Sequence, residues 1–242
     1  MTKARHVPVF GVLLVAALCP VARASAEQRP AIADEIAKTY GFESLGQVDA
    51  IRYTFHIDAP SLKFSRSWVW EPNTDRVSYE GKDKAGNPVK VAYSRSQLAT
   101  QSAMVKDEIE FAFLNDQYWL LFPFHLVWDT GAKVEDAGMH KLPVGKSSAR
   151  RVVVTYPAQG GFTPGDAWEI FVGSDNRIRE LIYRKGGDAK PTVIAAWQDY
   201  ERAGPLLFSL NHPGTSKGKP ARVWFTDVAV RLVGSDAWVN AQ

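Results

Sequence analysis

The sequence is almost without cysteine: Cys19 is the only one in 242 residues. This excludes a disulfide framework and the zinc sites that are built from paired cysteines. Beyond residue 26 the sequence also lacks an apolar run long enough to span a bilayer, a low-complexity tract and an internal repeat. A chain of this length can stabilise itself through its core alone. We therefore expect one soluble domain over residues 27–242.

Residues 27–242 also carry no excess of positive or negative charge. The three charged residues before position 27 are all basic, which leaves 26 basic and 26 acidic residues after it. A chain without net charge offers no electrostatic footprint for nucleic acid. We therefore expect no nucleic-acid partner.

Residues 1–26 have the three parts of a secretory signal peptide. Lys3 and Arg5 precede an apolar run over residues 7–18, and residues 24–26 are small enough for cleavage after Ala26. The run is shorter than the roughly 20 residues of a membrane anchor. Lipid modification of Cys19 is disfavoured because a leucine precedes it where a small residue is expected. We expect export to the periplasm.

Alternation of apolar and polar residues predicts antiparallel strands over most of the chain. In Ile51–Ile57 the odd positions are apolar or aromatic, and in Leu62–Trp70 the even positions are, apart from Arg66. The further predicted strands are Val89–Tyr93, Arg150–Tyr156, Ala167–Val172, Arg177–Arg184, Thr192–Tyr200 and Arg222–Leu232.

Helical spacing occurs in two places. Residues 30–45 repeat apolar side chains four apart and reach Gly41, which predicts a short amphipathic helix. The same spacing predicts a second helix from Ser96 to about Asn115. This helix runs into residues 115–129, the most aromatic stretch of the chain. Because Pro123 cannot donate to a strand ladder, we expect an edge segment or a bent crossing there.

These elements predict an α+β fold: a strongly curved antiparallel sheet of about 8–11 strands, an incomplete β-barrel, with helices covering its concave face. A tryptophan four residues before a Pro-Asn pair, Trp68 with Pro72 and Asn73, resembles the periplasmic lipoprotein carrier family, the LolA-like superfamily of outer-membrane lipoprotein sorting. The resemblance implies an apolar interior, lidded by helices, that holds acyl chains. The family has a basic residue immediately before the proline, whereas this chain has Glu71, which puts the family's handover mechanism in doubt.

Aromatic density supports such an interior. Singly, each of these side chains fits an ordinary core, but together they suggest a curved sheet around an apolar cavity. The predicted cavity residues are Tyr53, Phe55, Phe64, Trp68, Trp70, Trp119, Phe122, Phe124 and Trp128, and Trp168, Trp197 and Trp224 follow the same pattern. Arg66 lies on the same strand face, where an unpaired charge is costly. Either it has a carboxylate or carbonyl partner, or the strand end is frayed and its stem reaches water. Arg66 and Glu71 are the candidate polar contacts of a lid.

Catalytic motifs are weak. The Gly-x-Ser-x-Gly pattern at residues 214–218 lacks the following helix that a nucleophile elbow needs, and we interpret it as a flexible loop. The histidines are scattered without metal-ligand spacing. His125 is interpreted as a core or rim histidine bonded to a carbonyl, and Asp116 and Asp129 as turn or capping residues. We expect no catalytic residues, no metal and no cofactor.

Three functions remain open. The first is a monomeric, non-enzymatic carrier for lipids or the acyl chains of lipoproteins, working with membrane-associated partner proteins. The second is a sensor or interaction module that binds a protein through an exposed sheet face. The third is a hydrolase that depends on His125 or Asp129. An open apolar cavity under the second helix favours the carrier, a packed interior favours the interaction module, and residues 115–129 would be the hinge of any lid.

Overall fold

Residues 29–242 are described by a computed structural model. The predicted signal peptide and Cys19 lie outside the described residues. The first helix, α1 (Ala31–Thr39), buries Ile32 and Ile36 and is followed by Gly41 in a left-handed conformation with φ 92°. A 3-10 turn over Phe42–Gln47 then leads into the first strand. The predicted amphipathic helix is confirmed, and it ends just before Gly41 as the sequence predicted.

The described chain contains 13 strands, all in one sheet. They are β1 (Val48–Ala59), β2 (Leu62–Glu71), β3 (Arg76–Lys82), β4 (Pro88–Ser94), β5 (Lys133–Lys141), β6 (Ser148–Thr155), β7 (Ala167–Val172), β8 (Ile178–Arg184), β9 (Val193–Ala196), β10 (Gln198–Ala203), β11 (Leu206–Ser216), β12 (Lys219–Leu232) and β13 (Trp238–Asn240).

The sheet is antiparallel throughout and does not close. Its order is β4-β3-β2-β1-β12-β11-β9-β8-β7-β6-β5, while β10 pairs with β11 and β13 with β12. The two edge strands, β4 and β5, are joined in sequence by the segment that carries the main helix. This confirms the predicted class, a curved antiparallel sheet with helices on its concave face.

The segment between the edge strands differs from its prediction. It consists of a 3-10 helix (Arg95–Thr100), a π-helical turn (Val105–Ile109) and α2 (Glu110–Trp128). The helix predicted from Ser96 to Asn115 therefore begins later and ends later. Tyr118–Trp128 is neither an edge segment nor a strand crossing, because it is the second half of α2.

Helix α2 is apolar on all sides, which is characteristic of a helix enclosed by protein. Of its 19 residues, 14 are buried. Pro123 lies inside the helix, where its ring conflicts with the preceding turn, and Leu121 leaves helical geometry with φ −111° and ψ 16°. Burial thus outweighs the strand-like signal that proline and the aromatic residues gave in the sequence.

The remaining strand predictions are confirmed with two exceptions. Thr192–Tyr200 is two strands, β9 and β10, that are separated at Trp197. The predicted loop at residues 214–218 is the end of β11 and a turn into β12, so Gly214 is a strand residue. No helix within residues 29–242 is both long and apolar enough to cross a bilayer.

Candidate functional site

The nine predicted cavity residues all lie in or against the core that surrounds α2. Seven of them are buried, and Phe64 and Trp128 are half-buried. Side chains of α2 contact the inner face of the sheet on both sides: Phe113 lies 5.5 Å from Trp68 of β2, and Phe122 lies 4.7 Å from Trp168 of β7, between ring centroids. The sheet therefore wraps around the helix.

The interior between these walls is filled by aromatic rings. Trp119 lies 5.7 Å from Trp168 and 6.2 Å from Trp197, and Trp197 stacks on His212 at 3.8 Å. Burial lowers the pKa of His212 to about 3, so its imidazole is neutral. Such distances are those of packed aromatic pairs. The space where the sequence predicted a ligand is occupied by α2.

Arg66 and Asp116 form a buried ion pair between β2 and α2. Arg66 Nη1 donates to both carboxylate oxygens of Asp116, at 3.1 and 3.2 Å, and stacks on the Phe64 ring at 4.0 Å. Trp68 Nε1 donates to the same carboxylate at 3.0 Å, as does Asn115 Nδ2 at 3.1 Å. The predicted carboxylate partner of Arg66 is confirmed, and the alternative prediction of a frayed strand end is wrong.

The environment of Asp116 changes its acidity. Its side chain is 0% exposed, and this burial raises its pKa to about 6 despite the opposing effects of Arg66, Asn115 and Trp68. Interpreting Asp116 as a turn or capping residue was wrong, because it lies within a helix and holds that helix to the sheet.

A second ion pair holds the start of α2. Glu110 is buried and accepts hydrogen bonds from Tyr93 Oη at 2.7 Å and Arg95 Nε at 2.8 Å. Arg95 also contacts Asp75 at 3.1 Å. This group was not predicted from the sequence, in which Glu110 is one of several charged residues of the predicted helix.

A third polar cluster lies where α2 ends. Asp129 occupies the C-cap position and accepts hydrogen bonds from Tyr118 Oη at 2.8 Å and Tyr156 Oη at 2.9 Å. His125 Nδ1 lies 3.0 Å from the same oxygen. Burial alone would raise the pKa of Asp129, but these hydrogen bonds lower it. The capping role predicted for Asp129 is confirmed, and His125 is buried beside a carboxylate where the sequence predicted a carbonyl.

This cluster resembles part of a catalytic site without having a nucleophile. The hydrogen bonds described for His125 and Asp129 include no serine or cysteine. His125 Nε2 is buried without a partner, and burial lowers the pKa of His125. Within residues 29–242, no group of histidine, cysteine, aspartate and glutamate side chains is arranged to hold a metal ion.

Two predicted participants lie away from these clusters. Glu71, at the end of β2, accepts a hydrogen bond from Thr74 at 3.0 Å and does not contact Arg66. Trp224 lies on the outer face of the sheet, where it stacks on His56 at 4.9 Å. A register shift between β1 and β12, around Thr54 and Asp227, interrupts the alternation from which its side was inferred.

A recess of about 630 Å³ opens on the outer face of β1–β4. This volume falls within the range of ligand pockets in proteins. Its floor is formed by short side chains that lie side by side across the strands: Thr54 opposite Ser67, Val69 opposite Ser78, and Ser78 opposite Ala92.

The border of the recess carries charges of both signs. Arg52 and Asp227 lie at one side, and Glu80 and Lys90, paired at 3.0 Å, lie at the other. Long polar side chains usually cover the outer face of a sheet, so a patch of serine, alanine and threonine leaves the backbone accessible. The alternation in β2–β4 places these short side chains on the outer face. Alternation alone does not show whether that face forms a groove or a flat surface.

No protein-family model matches the chain, and no curated protein matches it either. Solved structures do resemble it. A DUF1329 family protein from Desulfovibrio piger has a TM-score of 0.46 and 10% identity, covering 86% of this chain and 95% of that chain.

A LolA superfamily protein from Nitrosomonas europaea has a TM-score of 0.43 and 11% identity, covering 82% of this chain and 93% of that chain. The lipoprotein LppX of Mycobacterium tuberculosis has a TM-score of 0.31 and 11% identity, covering 83% and 96%. The superfamily that the sequence resembles is among those with a similar solved structure.

Proposed function

We propose that this protein is a non-enzymatic binding protein that recognises an extended segment of a protein partner at the outer-face recess of β1–β4. The observation that carries the proposal is the position of α2, which fills the concave side of the sheet. A binding protein with a filled interior has to use its surface. The proposed compartment is the periplasm.

The free energy of burial argues for an interior that stays closed. Ten of the buried residues of α2 are apolar or aromatic. At about 2 kcal/mol each, withdrawing them would cost roughly 20 kcal/mol. One acyl chain of about 16 carbons returns roughly 13 kcal/mol at about 0.8 kcal/mol per methylene. Breaking the Arg66–Asp116 and Glu110–Arg95 pairs adds further cost, because their charge-assisted hydrogen bonds are lost.

The recess has features suited to an extended peptide. Its floor of short side chains lets another backbone approach the sheet. Ser78 provides a hydroxyl group, and Ser67 and Thr54, whose hydroxyl groups lie 3.0 Å apart, keep further acceptor capacity. Arg52 and Asp227 at one side, with Glu80 and Lys90 at the other, can orient a segment that carries both charges.

A filling substitution tests the proposal. Ser67→Trp puts a large ring on the floor of the recess, and Ser65→Trp puts the same ring on the same strand and face but outside the lining. A photo-reactive amino acid at Lys82, on the same strand and face as Ser78 but outside the lining, should form a specific adduct with a partner in living cells. We expect Ser67→Trp to abolish the adduct and Ser65→Trp to keep it. Absence of any adduct at Lys82, or loss of it with Ser65→Trp alone, would refute the proposal.

The carrier function remains a second candidate because aromatic rings line the concave wall and α2 is interrupted at Leu121. It requires α2 to leave the sheet. Lipid mass spectrometry of protein purified without detergent distinguishes the two functions. A stoichiometric lipid that is lost in Trp119→Ala but kept in Ser67→Trp would establish the carrier, and we expect none.

A further inference from the structure

We propose that one end of the sheet docks on an anionic lipid bilayer. This inference does not depend on the outer-face recess. Because neighbouring strands are antiparallel, β1, β3, β6, β8 and β11 all end at the same end of the sheet. We call the turns that follow these five strands the rim.

The turns of the rim touch one another. Gly186 N donates to Asp166 Oδ1 at 2.7 Å, which joins the turn after β8 to the turn after β6. Lys217 N donates to Thr192 O at 2.9 Å, which joins the turn after β11 to the turn after β8. The pairing of Asp58 with Arg222 places the turn after β1 next to the start of β12. The turns after β1, β6, β8 and β11 therefore form a continuous arc, and the turn after β3 lies at the same end of the sheet.

Apolar side chains protrude from this arc. Leu62, at the turn after β1, is 50% exposed, and Phe162, in the turn after β6, is 42% exposed. Phe111 of α2 is 59% exposed and packs on Phe162, with ring centroids 6.0 Å apart. Exposed aromatic and aliphatic side chains on loop tips can enter the boundary between lipid headgroups and acyl chains.

Four exposed lysines lie between these apolar side chains: Lys185, Lys190, Lys217 and Lys219. None of them forms an ion pair within residues 29–242. The acidic residues of the same turns are mostly occupied, since Asp58 binds Lys63 at 2.8 Å and Asp166 accepts from Tyr183 at 2.7 Å. Asp188 is the exception among these acidic residues, because its side chain is exposed.

A bilayer fits this surface better than an acidic protein. Lysine is depleted in protein–protein interfaces, because its long, strongly hydrated side chain is costly to fix and desolvate. At an anionic membrane the lysine ammonium groups stay hydrated and each strengthens binding. The arc presents its apolar residues at two separate places, Leu62 at one and the Phe162–Phe111 pair at the other, and a planar partner can contact both.

Vesicle binding by the full chain tests the proposal. We expect sedimentation with vesicles of equimolar phosphatidylglycerol and phosphatidylcholine, and none with phosphatidylcholine alone. Binding should be lost at about 1 M salt, where the screening length is about 3 Å. Lys217→Gln with Lys219→Gln should weaken binding roughly 20-fold to 30-fold, since each lysine contributes about fivefold near such a surface. Phe162→Ser should weaken it about tenfold.

The opposite end of the sheet supplies matched controls. Lys141→Gln with Lys146→Gln removes two exposed lysines there, and Val144→Ser removes an apolar side chain that is 62% exposed. These variants should bind as the unaltered protein does. Equal losses at both ends, no binding to anionic vesicles, or equally tight rim-dependent binding to soluble polyglutamate would overturn the proposal. Ser67→Trp should leave vesicle binding unchanged, so failure of the recess proposal would be recognised separately.

Discussion

At the scale of single residues, the pairing of Arg66 with Asp116 shows how one charge sets the position of a helix. Asp116 is wholly enclosed, whereas Arg66 keeps 21% of its side chain exposed. The arginine supplies the charge that the buried carboxylate needs and keeps part of its side chain in contact with water. The pair therefore fixes the rotation and depth of α2 against β2.

Removing Arg66 should destabilise the protein more than removing both partners. In Arg66→Met the carboxylate of Asp116 stays buried without its cation, which costs about 3 to 5 kcal/mol. Arg66→Met combined with Asp116→Leu should recover at least half of that loss. Urea denaturation measures both variants. A double variant as unstable as the single one would contradict this account.

The pKa of Asp116 predicts a pH dependence with a defined sign. The folded pKa of about 6 lies above the ordinary value of 3.8, so the folded state binds this proton more tightly than the unfolded state. The free energy of unfolding should therefore fall as pH rises from about 4 to about 6, by roughly 3 kcal/mol. The contribution is complete below the unfolded pKa and gone above the folded one.

Comparison with Asp116→Asn isolates this effect. The asparagine cannot titrate, so the difference in unfolding free energy between the two proteins should change over that pH range and be constant above it. Asp129 contributes with the opposite sign, because its lowered pKa gives stability that is lost in acid, and it contributes equally to both proteins. A difference that is independent of pH would show that Asp116 has no raised pKa.

At the scale of elements, the side chains of α2 contribute unequally to the free energy of unfolding along the length of the helix. Phe122 is 0% exposed, whereas Phe111 is mostly exposed. Phe122→Ala should cost about 3 to 5 kcal/mol, and Phe111→Ala less than about 0.5 kcal/mol. Thermal or urea unfolding checks both. A loss below about 1 kcal/mol for Phe122→Ala would mean that the interior is loosely filled, as a ligand cavity would be.

The same element shows where sequence reasoning ends. Strands with one buried face, such as Ile51–Ile57, could be predicted because their alternation is preserved in the sheet. Tyr118–Trp128 could not, since a helix enclosed on all sides has no polar face and therefore no period to detect. Pro123 then favoured the wrong element, because its cost inside a helix is offset by tertiary packing.

The candidate site could be predicted only in part, because its contacts join elements that are distant in the sequence. An arginine on an apolar face indicates a polar partner, so a partner for Arg66 could be predicted from the sequence of β2 alone. Which carboxylate it binds depends on the path of α2, and Asp116 lies 50 residues away. The outer-face recess depends on the register between four strands, which alternation within a strand does not determine.

At the scale of the whole molecule, α2 should behave as part of the rigid core. Its backbone amides are surrounded by sheet residues from β2 to β11, so exposure requires global unfolding. Hydrogen exchange should give α2 and β1 the same opening free energy, with or without lipid vesicles. Faster exchange over residues 115–129 in the presence of lipid would support a lid hinged there.

The two open edges of the sheet are protected against pairing with a second copy. β4 begins at Pro88 and carries Lys90, and β5 has a register shift between Asp136 and Met139. Proline, lysine and bulges are the usual means of blocking edge-to-edge association. We expect a monomer, which light scattering during size-exclusion chromatography will measure. A concentration-dependent dimer would show that one edge remains available.

The pairing of β1 with β12 has a consequence for when the protein can fold. Val48 pairs with Leu232, so the first described strand finds its neighbour near the other end of the chain. Joining such distant segments costs loop entropy before any contact stabilises them, which makes the step slow. Until β12 is present, β1 keeps a bare edge and the two parts of the sheet on either side of β12 are not joined. A chain with this topology therefore completes its sheet only once β12 is available to pair with β1.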